Sequence, residues 1–165
     1  MRASARLSAI ALMLAPVPAA AQGSLISQPS EPEVIVAAAQ SCRDATTPER
    51  LDEERLMASG WARASTSESG SNASAPLRIF VRSSILLFAA PSAPGCIVSA
   101  RLTDVARYQP LVDGLVAAFG RPIRAAPHGS SIIWSFDNRI MQFERMGSRA
   151  EPGVRISLIY SRSSQ

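Results

Sequence analysis

Residues 77–102 read LRIFVRSSILLFAAPSAPGCIVSARL, and this stretch decides the fold. Leu77, Ile79 and Val81 alternate with Arg78, Phe80 and Arg82, the period of two that a half-buried strand shows. Residues 85–90 are apolar without a break, as expected of a strand buried on both faces. Cys96, Val98, Ala100 and Leu102 then alternate with Ile97, Ser99, Arg101 and Thr103, which places Cys96 on the inward side of a third strand. Ser83-Ser84 is a turn or bulge, and Pro91, Pro94 and Gly95 mark a turn. Connections this short join antiparallel neighbours.

Working outward from the three strands, Val105, Tyr108, Val112, Leu115 and Phe119 share a stripe at helical spacing. Pro110 is incompatible with the interior of a helix that starts at Asp104, so the main helix is expected from about Gln109, after a short turn. Gly120 and Pro122 end it. Ile132, Trp134 and Phe136 alternate in a further strand, Asp137-Asn138 is a two-residue hairpin turn, and 139–144 return. Residues 146–153 read as a loop, and Val154, Ile156, Leu158 and Tyr160 alternate in a last strand with Arg155 outward.

Towards the N-terminus, Ser30 and Glu33 have the spacing of a capping box before an apolar helix over 34–42. Thr46 and Glu49 repeat that spacing before a second helix that runs to about residue 59 and stops at Gly60. Trp61 opens a short strand segment. Residues 64–76 are mostly Ser, Gly, Asn and Ala and are expected to form a disordered loop. The expected fold class is therefore α+β. It comprises an antiparallel sheet of about five to six strands, with an N-terminal helical hairpin and one central helix packed on one face.

The first 21 residues have the order of a cleavable Sec-type signal peptide. Arg2 and Arg6 precede an apolar run over 7–17, and Ala19-Ala20-Ala21 supplies small residues before Gln22. Arg2 and Arg6 are not adjacent, so a twin-arginine signal is not indicated. After 21 of the 165 residues are removed, 22–32 form a flexible lead-in and 33–165 a single domain, expected in a bacterial periplasm. In an oxidising compartment the only two cysteines, Cys42 and Cys96, are expected to form a disulfide. No stretch after the signal is long and apolar enough to span a bilayer.

All 17 basic residues are arginine; the chain has no lysine. That excludes Schiff-base chemistry, the Walker A phosphate loop and the Ser-x-x-Lys acylation motif, each of which needs an amine. Beyond the signal, 15 arginines face 13 acids, a net charge of +2, which makes no electrostatic case for nucleic acid or an anionic membrane. One histidine, His128, cannot form a histidine-rich metal site, and no metal or cofactor is indicated.

A hydrolase would need His128 to activate a serine such as Ser130, with Asp137 or Asp104 orienting the ring, and no Gly-x-Ser-x-Gly elbow supports it. The only positive feature is a set of four arginines, Arg78, Arg82, Arg101 and Arg155, on the outward phase of expected strands. Guanidinium forks on one sheet face would suit an envelope protein or an anionic ligand. The leading expectation is a non-enzymatic protein-interaction domain. A small-ligand or lipid-binding module is the alternative, and a hydrolase using His128 the third.

Overall fold

A computed structural model describes residues 28–64, 77–90 and 93–161. The signal segment, most of the lead-in and nearly all of the expected 64–76 loop lie outside the described residues. The elements run α1 (Pro32–Ala45), α2 (Glu53–Ala58), β1 (Ala62–Arg63), β2 (Arg78–Arg82), β3 (Ile85–Ala89), β4 (Gly95–Arg101), α3 (Tyr108–Phe119), β5 (Arg124–Ala125), β6 (Ser131–Phe136), β7 (Arg139–Gly147) and β8 (Pro152–Tyr160).

Among the described residues the chain is α+β with one antiparallel sheet, but the sheet has eight strands rather than five to six. Its order is β1-β2-β3-β4-β8-β7-β6-β5. The first four strands form a meander from one edge to the middle. α3 then carries the chain to the far edge, and the last four strands return to meet β4. The expectation has no counterpart of β5 and has β1 only as the short segment that Trp61 opens; both are two residues long, too short to show any periodicity. β7 and β8 also extend through half of the expected 146–153 loop, leaving a tight turn at 148–151.

One face of the sheet is the core. Phe80, Leu87, Val98, Ile156, Phe143 and Ile132 stand in one row across six strands, all almost fully buried. A parallel row runs Cys96, Leu158, Met141, Trp134. α1 and α3 cover these rows. Ile35, Ala38, Ala39, Cys42 and Ala45 form the buried stripe of α1, and Tyr108, Leu111, Leu115 and Phe119 that of α3. The two helices approach closely because Gly114 meets Val36; an added Cβ would lie 2.9 Å from a valine methyl. A 3₁₀ turn over Val105–Arg107, capped by Asp104 through the amide of Ala106, precedes α3, and Pro110 falls in the first turn, where no amide is missed.

The helical hairpin is less regular than the capping boxes suggest. Ser30 does not cap α1: its amide donates to the carbonyl of Arg101, and its hydroxyl pairs with that of Ser84 at 2.9 Å. α2 is a six-residue helix whose N-cap is Asp52, not Thr46. The Thr46 hydroxyl instead donates to the Cys42 carbonyl, and Thr46 bridges to Leu51. Asp137 and Asn138 turn the β6–β7 hairpin with φ of 45° and 57°, the left-handed pair that such a turn requires. Cys42 and Cys96 are joined, fastening α1 to the central strand β4.

The phenol of Tyr108 donates to the carbonyls of Gly153 and Met146, fixing the start of α3 to the β7–β8 end of the sheet. Burial pushes this phenol above its usual value of 10.0, while the Gly153 hydrogen bond and the Arg145 guanidinium over its ring act in the opposite direction. The folded state therefore holds the phenolic proton more tightly than the unfolded chain does. Its contribution to stability is complete below about pH 10 and is lost as pH rises through the folded value. Urea unfolding at about pH 8 and about pH 11 should show wild-type stability falling across that interval. Tyr108→Phe should show a smaller fall; an equal fall would assign the alkaline loss to other groups.

Candidate functional site

The four sequence-predicted arginines do not share one face. β2 pairs with β3 so that Arg78 stands opposite Ala89, Phe80 opposite Leu87 and Arg82 opposite Ile85. Arg78 and Arg82 are thus on the helix-bearing side, on either side of the buried Phe80. The opposite phase, Ile79 and Val81, points away from the helices. Arg78 and Arg63 both pair with Glu53 of α2, whose side chain is only 15% exposed. This polar cluster anchors α2 to the β1–β2 edge.

Arg101 and Arg155 do lie together on the face without helices. Arg155 is opposite Ser99 on one side and Glu144 on the other, and it pairs with Glu144 at 2.6 Å. Arg101, at the end of β4, pairs with Glu151 at 3.5 Å. Both pairs are largely solvated, so each contributes little to stability.

The open face carries a second feature, which the arginine pattern does not show. Ile79, Phe88 and Ile97 stand side by side on β2, β3 and β4, and the same row continues through Ser157 and Gln142 to Ile133. The neighbouring row holds Val81 and Leu86 before it reaches Ser99, Arg155 and Glu144. Ile97, Ile140, Ile159 and Met146 are all exposed by a third or more. Between the apolar row and the two ion pairs lies a solvent-open hollow of about 650 Å³. Phe88, Ile97 and Met146 supply its apolar lining, and Arg101, Arg155 and Glu151 its charge. An antiparallel sheet with one solvated face normally alternates apolar with polar. In β3 that alternation is absent: Leu86 and Phe88 are as apolar as Ile85 and Leu87.

Comparison with protein-family models, with curated proteins and with solved structures finds no match.

His128 is exposed in a 3₁₀ turn between β5 and β6, with φ of 58°, and hydrogen-bonds to no serine or carboxylate among the described residues. The Ser130 hydroxyl donates to the carbonyl of Pro127. Asp104 caps the turn before α3, and Asp137 lies at the other end of β6, roughly 20 Å along the strand. The structure does not bring these groups together. Among the described residues no three His, Cys, Asp or Glu gather to hold a metal, and no helix is long and apolar enough to cross a membrane.

Apolar open-face residues such as Phe88, Ile97 and Met146 were missed as site residues. The available signal was the unbroken run over 85–90, which implies a cover on both sides of β3, whereas α1 and α3 cover only one.

Proposed function

We propose that this chain is an exported periplasmic domain that binds another protein through the open face of its sheet, without catalysing a reaction. The observation that carries the reading is the row Ile79–Phe88–Ile97, contiguous apolar surface on three neighbouring strands with no helix over it. Contiguous apolar surface bordered by charge is the usual composition of a protein-binding surface. Arg101 and Arg155 border it and would fix orientation more than they add affinity. Export is supported by the N-terminal pattern and by the Cys42–Cys96 bond, which persists only where thiols are oxidised.

The hollow also favours a second reading, a small anionic amphiphile with its chain on Phe88 and Ile97 and its head at Arg155. Against it, the hollow is open rather than enclosed, and Glu144 already occupies the guanidinium of Arg155.

A photo-reactive phenylalanine at position 88, expressed in the native cells, tests the proposal. Covalent protein adducts are expected in the envelope fraction, on chains that begin at Gln22, and none from the same probe at Met57 on α2. Equal adducts at both positions, none at either, or chains that retain the leader in the cytoplasm would overturn it.

A further inference from the structure

Resting on that reading, we infer that the partner is a second copy of this chain, the two open faces packing sheet against sheet. β3 has the composition of a strand enclosed on both sides, yet one side carries no helix: there Leu86 is buried, Phe88 is only partly covered, and Ile97 beside it is 38% exposed. The remaining sequence is poor material for a cover. Residues 65–76 contain no apolar side chain larger than proline, and residues 22–27 contribute only Leu25 and Ile26.

The size of the face suits a dimer. Six long strands at ~4.8 Å spacing and ~3.4 Å per residue give on the order of 600 Å² of projected sheet. Side-chain relief brings this towards the ~800 Å² that each partner contributes to a standard stable interface. The charge pattern suits a copy better than an acidic or basic partner. A two-fold interface must be complementary to itself. Here the two arginines of the central strands each sit beside a glutamate, Arg155 with Glu144 and Arg101 with Glu151, while Arg124 stands at the far edge, on β5 opposite Ile133. The two-fold can therefore set the arginines of these two pairs in one copy against the glutamates of the same pairs in the other. A face made for a polyanion would present its guanidinium groups without carboxylates beside them.

Sedimentation equilibrium of the purified, oxidised chain is the test. The expected result is a species of twice the chain mass, with Phe88→Arg raising the dimer dissociation constant at least tenfold and Met57→Arg on α2 leaving it unchanged. Circular dichroism of each variant checks that the fold is retained, and the wild-type mass stands whether or not a variant folds. A wild-type monomer at up to ~100 µM, or a dimer indifferent to both Phe88→Arg and Ile97→Arg, overturns the inference. If the photo-probe at position 88 captures a different protein while the chain sediments as a monomer, the homodimer fails and the interaction reading survives. If it captures nothing and the chain is a monomer, both fail.

Discussion

Trp134→Ala is expected to lower stability by about 4 kcal/mol, which shifts the midpoint of urea unfolding down by roughly 2 M. Trp134 is completely buried and stands near the middle of β6, in the row with Met141, Leu158 and Cys96. Its indole also donates to the carbonyl of Gly120 at 2.9 Å, just past the end of α3. The side chain thus fills the core and holds the helix C-terminus against the sheet, so truncation opens a cavity and leaves a helix-end carbonyl without its partner. Ser135→Ala, one residue along and on the exposed face, should change stability by less than about 0.5 kcal/mol. A Trp134→Ala midpoint within experimental error of wild type would mean that α3 does not need this contact.

The second large effect is that of the disulfide. Cys42 and Cys96 are 54 residues apart, and a closed loop of that length stabilises by about 4 kcal/mol in the chain-entropy model. The double variant Cys42→Ala/Cys96→Ala should melt on the order of 10–15 °C lower than the oxidised chain. Both sulfur-bearing residues are at most 3% exposed, so dithiothreitol should reduce the native protein slowly and the urea-unfolded protein quickly. Equal reduction rates in the two states would show that α1 leaves β4 without global unfolding. An unchanged melting temperature would mean that the bond is dispensable to the fold.

Where apolar residues occupy one phase only, the strands were legible. β4, β6 and β8 each present one apolar and one mixed phase, and their inward residues follow the alternation. β2 is apolar in both phases, with Ile79 and Val81 in one and Phe80 in the other. Its orientation is set by something distant in sequence, Glu53 on α2, which receives Arg78 and lets an arginine flank Phe80 on the core side. No local pattern contains that information. The same holds for α2. Thr46 and Glu49 have the spacing of a cap, but the Cys42 carbonyl and the bridge to Leu51 claim Thr46, and the helix waits for Asp52. For the site, the strand phase of Arg101 and Arg155 was readable, whereas the apolar row beside them was a property of three strands taken together. It became visible only once register set Ile79, Phe88 and Ile97 in line.

The order of the strands has a consequence for how the molecule comes to exist. β8, last in the chain, does not sit at an edge; it lies in the middle, between β4 and β7. A chain that emerges N-terminus first can assemble β2, β3 and β4, but the flank of β4 stays unpaired until some fifty more residues have appeared, since residues 95–101 pair with 153–159. Vectorial emergence therefore gains little, and closure is a late event between distant segments, which loop entropy makes slow. During that interval an apolar strand edge is available to any neighbouring chain. Loss of the final nine-residue strand would not trim the sheet but split it into two halves. A nascent chain of this topology depends on being shielded until β8 arrives.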